Sequence, residues 1–470
     1  MVSNREPYIH QFSGRHIECQ VPASGLTVAL DPVMQASGGT WVAHGSGDAD
    51  REVVDEQNKV KAPPEAPLYF LKRVWLSKEE EAGYYTGFSN EALWPLCHVA
   101  YTRPIFKESD WNAYKQVNEV FARSVLDEIG ERRAFVFIQD YHLALLSQAI
   151  KQRSPESIIA QFWHIPWPNP EAFRVCPWQE EVLRGLLGND LMAFHVHHHC
   201  NNFLDTIERA IEARINREHH QVTLGGRTTA IRHYPISIDF ERISREARSE
   251  AIRRETVRLR SRLGLDGEII GIGMDRLDYT KGIPDRLMAI DCLLERYPEY
   301  RRRLVFIQAG VPSRSQIPAY RSLKESIDRL VEEINWKYAV GRWKPVITLL
   351  DNEPQPTLLA LRRMAHFCVV SSLHDGMNLV AKEFVASRYD EDGVLILSPF
   401  TGSARELTNA VLVNPYATDH FAEAIREAIE MPETERRRRM RKMRETVREN
   451  NIYKWAADII SDLVKLKSGA

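Results

Sequence analysis

Short β-branched or apolar runs followed by longer amphipathic stretches recur along this 470-residue chain. Runs of strand length fall at 134–138, 158–163, 231–236, 268–273, 304–308, 346–350, 367–371 and 394–397. Most precede a stretch of helical periodicity, such as 283–295, 316–334, 357–364 and 382–387. Apolar strands alternating with helices predict an α/β protein whose parallel sheets are covered on both faces. Between 238 and 267 the pattern breaks, and a polar, Arg/Glu-rich stretch at 241–263 separates two series of units. It predicts a helical connection between two doubly wound domains, 1–240 and 241–470. Ligands of open α/β sheets lie beyond the carboxyl ends of the strands, so two facing domains predict a cleft lined by strand-end loops.

Composition narrows the function classes. Hydrophobic residues make up 44% and charged residues 27%, which excludes a disordered or collagen-like chain. Lys plus Arg (62) nearly balance Asp plus Glu (64), so no net field favours nucleic acid or an anionic membrane, and an anionic ligand must be met by local cations. The six cysteines form no CxxC pair, and no apolar run reaches membrane-spanning length. With no basic-then-apolar segment at Met1 to His10, a soluble cytoplasmic protein is expected. Ten tryptophans and sixteen tyrosines, several beside polar or Gly/Pro-rich segments, suit hydroxyl-rich ligands such as sugars, although aromatic core is the commoner use.

Two segments at strand ends carry candidate chemistry. In Asp275-Arg276-Leu277-Asp278-Tyr279-Thr280-Lys281-Gly282, Arg276 and Lys281 lie on a strand-to-helix loop and can converge on one pyrophosphate near a helix N-terminus. The loop is neither a P-loop nor GxGxxG, which weakens ATP cleavage and NAD-type binding. Its alternative is a solvated loop with Asp278 paired to Arg276. In His374 to Glu383, Gly376 permits close backbone approach, and Asp375 and Glu383 are acceptors for sugar hydroxyls. Glu383 alone reads equally as an ordinary helix-face carboxylate. In the first half Asp140 and His164 follow successive strands directly, while Arg5, Trp41, Tyr84, Tyr85 and Trp94 punctuate apolar segments. The run His195-Val196-His197-His198-His199-Cys200 lacks zinc spacing and predicts a helix start with partly exposed histidines. The basic run 436–444 is flanked by Glu433, Glu435 and Glu445 at helical spacing and predicts a solvated helix face.

With these segments the chain closely resembles the trehalose-6-phosphate synthases, retaining glycosyltransferase family 20. The resemblance rests on SNR at 3–5, YYTGFSNEALWP at 84–95, QDYHL at 139–143, HIPWP at 164–168, YPISID at 234–239, DRLDYTKG at 275–282, VPSR at 311–314, HDGMNLVAKE at 374–383 and ELTNAVLVNPY at 406–416. It implies a GT-B fold, two Rossmann-like doubly wound domains facing across a cleft, with a last helix at about 452–466 packed back on the first. It implies transfer of glucose from a nucleoside-diphosphate glucose, UDP-glucose by default, to glucose 6-phosphate.

By the same resemblance Gly25, His164, Arg276, Lys281, Asp375, Gly376, Met377, Asn378, Leu379, Val380 and Glu383 bind the donor. Arg5, Trp41, Tyr85, Trp94, Asp140 and Arg314 bind the acceptor, and His164, Asp140, Arg276, Lys281 and Asp375 carry the catalysis. No metal or other cofactor is expected, and neither nucleic acid nor membrane as partner. A separate trehalose-6-phosphate phosphatase is expected downstream, and self-association is left open. Three departures stand out: the family's double glycine appears as Ser24-Gly25, Pro354 lacks the N–H where a backbone group helps read the base, and Arg5-Glu6-Pro7-Tyr8 with Leu96-Cys97-His98-Val99 lean towards glucosylglycerol-phosphate synthases. Glycerol 3-phosphate as acceptor, and a catalytically silent sugar-phosphate-binding homologue, are the alternatives.

Overall fold

The structure, a computed structural model, describes residues 1–22 and 25–468. The chain folds into two compact units, Met1–Ile236 with Ile452–Ala470, and Ser237–Asn451. The first boundary therefore falls at Ile236/Ser237 against the expected 240, and the last segment, nominally within the expected 241–470 domain, belongs to the first unit, as the resemblance implied for a last helix at about 452–466.

The strands of the first unit are β1 (Val2–Ser3), β2 (Ile9–Ser13), β3 (His16–Gln20), β4 (Thr40–His44), β5 (Lys59–Ala62), β6 (Tyr69–Val74), β7 (Phe135–Gln139), β8 (Ile158–Phe162), β9 (Leu191–Phe194), β10 (Arg214–Asn216), β11 (Gln221–Leu224) and β12 (Arg227–His233). β2 and β3 form a separate antiparallel hairpin, and the other ten make one sheet in the order β10-β11-β12-β9-β8-β7-β1-β4-β6-β5. Its seven central strands, β12 to β6 in that order, are parallel, and antiparallel strands are added at both edges. The sheet is thus mixed where parallel pairing was expected throughout, because β10, β11 and β5 are joined to their neighbours by short turns that permit only antiparallel pairing. The first strand is two residues long. Outward from the β1/β7 pair the chain order runs β1, β4, β6 in one direction and β7, β8, β9, β12 in the other, so the switch point lies at the carboxyl ends of β1 and β7. The helix Ile452–Ser468 joins this unit through Trp455, whose indole N–H donates to the Tyr234 carbonyl at 3.3 Å, and through Asp462, which accepts from the Tyr234 hydroxyl at 2.8 Å.

The second unit contains β13 (Ile269–Met274), β14 (Leu304–Ala309), β15 (Val346–Leu349), β16 (Phe367–Val370), β17 (Val394–Leu397) and β18 (Val411–Leu412), all parallel, in the order β15-β14-β13-β16-β17-β18. Strand side chains alternate between faces, and each face has its own core. Ile270, Ile272, Val305, Ile307, Cys368, Val370, Leu395 and Leu397 face the helices Glu250–Leu263, Gln355–Met364, Leu379–Ser387 and Glu433–Glu449. Leu304, Phe306, Phe367, Val369, Val394 and Ile396 face Ile283–Arg296, Pro318–Tyr338 and Thr418–Glu430.

The polar stretch 241–263 is helical, as expected, but it packs into the core of the second unit instead of serving as a connection alone. It forms the helices Phe240–Ala247 and Glu250–Leu263, and Phe240, Ile252 and Leu259 are buried in the core of the second unit. Its apolar side is narrow, so the many Arg and Glu side chains on the solvent side disguise a packed helix as a linker. Among the described residues no helix is long and apolar enough to cross a membrane.

Candidate functional site

In the second unit the switch point lies between β13 and β16, where the chain order reverses. Both candidate segments leave from these two strands. The loop after β13 carries Arg276 and Lys281, and the loop after β16 carries Asp375 and ends at the helix Leu379–Ser387. The Lys281 ammonium lies 2.5 Å from Asp375 Oδ2, which also accepts from Ser372 Oγ at 3.2 Å and Asn378 Nδ2 at 3.4 Å. Asn378 caps the helix, its Oδ1 accepting from the Ala381 N–H at 3.0 Å. Gly376 and Met377 are buried, and Leu379 and Val380 are half-buried at the helix start, where unpaired N–H groups and the helix dipole favour an anion.

A buried arginine that the sequence analysis did not single out joins the two loops. Arg286 is wholly buried, and its guanidinium donates to Asp275 Oδ2 at 2.7 Å, Ser371 Oγ at 2.8 Å and the Lys281 carbonyl at 2.9 Å. Its space is made in β13, because a Cβ on Gly273 would lie 2.3 Å from Arg286 Nη1. The only trace in the sequence is the Gly271/Gly273 pair inside an otherwise apolar strand. At Gly282, which caps the next helix with φ +60°, a Cβ would stand 2.3 Å from the Ser371 carbonyl oxygen, so glycine sets how closely the two loops approach.

Asp278 is the buried partner of Arg314 (3.3 Å) and accepts from the Tyr320 hydroxyl (3.1 Å), and the Arg276 charge acts on it as well. Burial alone would push the Asp278 carboxyl up, but the charges of Arg314, Arg276 and Lys281 and the Thr280 amide hold it below the ordinary range. Arg276 is half-buried beside it. Glu383 forms an ion pair with Arg362, and Lys382 turns inward to Glu406 at 2.6 Å, its ammonium pushed down by burial. Pro354 is the N-cap of the helix Gln355–Met364, with its carbonyl engaged by the Thr357 N–H at 2.9 Å.

In the first unit the switch-point strands end in Arg5 and Asp140. Asp140 has φ +73° and ψ 177°, a conformation that costs a non-glycine residue about 1–3 kcal/mol. It is held by its N–H to the Phe162 carbonyl (2.7 Å), its carbonyl to Gln161 Nε2 (3.1 Å) and its Oδ1 to the His164 N–H (3.2 Å). The His164 ring is engaged at Nε2 by Gln139 Oε1 at 2.9 Å and stacks on Phe162. Burial, with the nearby His142, pushes the His164 imidazole down to about 3, so it is neutral at physiological pH.

Arg5 donates to the Tyr85 hydroxyl at 2.8 Å, and the Tyr85 ring stacks on His142 at 5.6 Å. Tyr85 belongs to a π-helical segment, Ala82–Leu93, closed by the Trp94 N–H on the Ser89 carbonyl, a geometry over-represented at functional sites. Asn90 of that segment, also missed from sequence, accepts from the Tyr141 hydroxyl at 2.8 Å and so ties it to the turn after Asp140. Trp41 is fully buried, its indole N–H donating to Ser3 Oγ at 2.8 Å, so its ring supports the Ser3 to Arg5 turn and presents no free face. Trp94 is buried against the His98 ring at 4.1 Å. Gly25 is exposed at the start of the helix Gly25–Ser37, and Ser24 lies outside the described residues. Arg314, grouped with the acceptor residues by resemblance, is in the second unit.

The histidine run divides. His197 and His198 are exposed on the first turn of the helix His197–Ala210, whereas His195 and His199 are buried. Among the described residues no group of three or more His, Cys, Asp or Glu side chains is arranged to hold a metal ion. The basic helix Glu433–Glu449 pairs its arginines with Glu433, Glu435, Glu391 and Asp392.

The model of glycosyltransferase family 20 matches residues 1–465. A bifunctional trehalose-6-phosphate synthase/phosphatase of Thermoproteus tenax is 37% identical over the whole of this chain, which spans 64% of that relative's length. An α,α-trehalose-phosphate synthase (UDP-forming) of Burkholderia xenovorans, solved in complex with glucose-6-phosphate, superposes with a TM-score of 0.86 at 30% identity, covering 98% of this chain and 99% of the other. The Escherichia coli protein solved with UDP-2-fluoro glucose gives a TM-score of 0.87 at 30% identity and 98% coverage of both chains. These neighbours have the GT-B architecture, and the two doubly wound sheets with their strand-end motifs follow it. The match runs from the first strand into the last helix and takes in both units: the chain belongs to glycosyltransferase family 20.

Proposed function

We propose that this chain transfers glucose from UDP-glucose to glucose 6-phosphate with retention at the anomeric carbon, forming α,α-trehalose 6-phosphate and UDP. The observation that carries this reading is the pairing of the Arg276/Lys281 loop with the Asp375 to Glu383 segment at one switch point, beside a capped helix start. The ligands held by the solved relatives, glucose-6-phosphate and UDP-2-fluoro glucose, correspond to the two substrates.

In this scheme the bond from the sugar C1 to the β-phosphate oxygen breaks as the acceptor hydroxyl bonds to C1 on the same face. The acceptor proton passes to the departing phosphate oxygen. Negative charge grows on that phosphate, and Arg276, Lys281 and the helix-start amides neutralise it, a preorganised contribution of roughly 3–4 kcal/mol for one well-placed donor. These cations occupy the role that a divalent ion would otherwise fill, so the reaction needs no metal. Asp375 orients the donor sugar, His164 contacts it as a neutral group, and Asp140 orients the acceptor. Arg5 and Tyr85 meet the acceptor phosphate, a pairing suited to the guanidinium geometry.

The departure at Arg5 to Tyr8 does not redirect the acceptor. Glu6 is buried in an ion pair with Arg73 at 2.8 Å and accepts from the Ser46 N–H, so its carboxylate is spent within the fold. Glucose 6-phosphate is accordingly the acceptor of first choice over glycerol 3-phosphate. The product is a phosphate ester, which a phosphatase acting on sugar phosphates would consume. The test is a matrix of UDP-, ADP- and GDP-glucose against glucose 6-phosphate and glycerol 3-phosphate, with products identified by mass and a parallel series in EDTA. Trehalose 6-phosphate from UDP-glucose, unaffected by EDTA, is expected. No turnover with any pair, or a product formed only with glycerol 3-phosphate, overturns the reading.

A further inference from the structure

Three successive parallel strands of the first unit end in residues that meet one another: Asp140 after β7, His164 after β8 and His195 after β9. His164 is tied to the other two through its backbone. Its N–H donates to Asp140 Oδ1 at 3.2 Å, and its carbonyl oxygen lies 3.1 Å from His195 Nε2. A carbonyl cannot donate, so His195 Nε2 carries the proton of that bond. On the other side of the same ring, the Ile236 N–H points at His195 Nδ1 at 3.4 Å, which requires a lone pair there. The two bonds select one form of the ring, neutral with its proton on Nε2. His195 is 2% exposed, packed against the Phe162 ring at 4.8 Å and the His164 ring at 5.3 Å, so it has no room to turn away. Ile236 is itself the last residue of the first unit before the chain passes to the second.

We infer that His195 is a positioning residue for the transfer: it holds the peptide that joins His164 to Ile165 through the His164 carbonyl, and so the direction in which His164 presents itself to the donor sugar. This rests on the function proposed above. Asp140 alone would fix only the preceding peptide, through the His164 N–H, and Gln139 only the ring. With the carbonyl side released, the residue keeps its place in the sheet but loses its aim, and small misplacements of a substrate contact carry large rate penalties. The first histidine of the run thus has a task that its neighbours on the exposed helix turn do not share, and it needs no metal for it.

Asparagine and glutamine separate the two bonds. An asparagine amide occupies the place of Nδ1 and can still accept from Ile236, but is too short to reach the His164 carbonyl. A glutamine amide extends to the place of Nε2 and can donate to it. Both are polar and of similar size, so neither leaves the buried site empty. The experiment compares His195→Gln and His195→Asn with the unmodified protein by steady-state UDP release, varying donor and acceptor separately, with thermal melting of each. Glutamine is expected to keep kcat/KM for UDP-glucose within about threefold, and asparagine to lower it of order tenfold or more, with the acceptor KM unchanged in both. Equal values for the two variants, a loss confined to the acceptor KM, or a loss that follows the melting temperature overturns the inference. Should the unmodified protein fail to form trehalose 6-phosphate, the proposed function fails instead. Should asparagine not fold, His195→Gln with depressed kcat/KM and an unchanged melting temperature still overturns the inference.

Discussion

Lys281 and Asp375, ninety-four positions apart in the chain, stand in a 2.5 Å ion pair across the β13/β16 switch point. Both side chains are largely buried, and the ammonium is therefore aimed before any anion arrives. The carboxylate holds the place of a cation's partner, and a donor pyrophosphate would share it.

Lys281→Ala is expected to lower kcat/KM for UDP-glucose by 10²–10³, about 3–4 kcal/mol, with little change in the acceptor KM. Asp375→Asn should weaken donor use as well, because the lysine is then no longer held in place. Initial rates of UDP release over both substrate concentrations check this, and an effect confined to the acceptor would place Lys281 elsewhere.

Arg286 holds the two loops from below, and its loss leaves Asp275 buried without a partner. Arg286→Met should cost about 3–5 kcal/mol of stability, the range for breaking one side of a buried pair. Asp275→Asn combined with Arg286→Met should recover part of it, since a neutral amide is cheaper to bury than a lone carboxylate. Denaturant unfolding of the unmodified protein, Arg286→Met and the double variant reads the difference, and equal losses in the single and double variants would deny the pairing its weight.

Arg5 and Tyr85 form a donor pair at the end of β1. Arg5→Ala should raise the KM for glucose 6-phosphate tenfold or more, and Tyr85→Phe by less, with the donor KM unchanged in each. Product formation at saturating UDP-glucose gives the comparison. A rise in donor KM of equal size would mean that the pair does not serve the acceptor.

His164 supplies a pH dependence whose sign follows from burial. Its pKa falls from about 6.5 unfolded to about 3 folded, so the unfolded chain binds the proton more readily. The stability it contributes is fully present above pH 6.5 and is lost as the pH falls from there towards 3. Unfolding midpoints between pH 7 and pH 4 should decline, and His164→Gln should flatten that decline. A variant as acid-sensitive as the original would assign the effect to other groups.

Much of the second unit was legible because its strands are buried on both faces and so read as continuous apolar runs. The segment 268–273 was recognised almost residue for residue as Ile269–Met274, and its loop was expected to carry Arg276 and Lys281. The first unit was harder to read. β1 is two residues long, β4 and β6 went unread although Gly38-Gly39 and Pro63-Pro64 precede them, and the antiparallel edges carry polar residues on exposed faces. The stretch 241–263 is helical as expected, but its packing was not legible, because three buried apolar side chains are few against so many charges, although they suffice to dock helices on a sheet.

The sequence by itself determined the chemistry available at the strand ends: two cations in one loop, acceptors at a helix start, a guanidinium after the first strand, and an aspartate and a histidine after successive strands. These are local properties, set by residue type and by position relative to an apolar run. Only the tertiary structure decided which of them meet. Strand order is not written in strand composition, so the side-by-side placement of β13 with β16, and of β1 with β7, could not be read from either segment alone. Nor could the choice of partners, Arg286 beneath Lys281, Asp278 with Arg314, Glu6 with Arg73, or His195 on the carbonyl of His164. Each joins residues distant in the chain whose burial makes a missing partner costly, and that cost is incurred only when the whole fold closes around them.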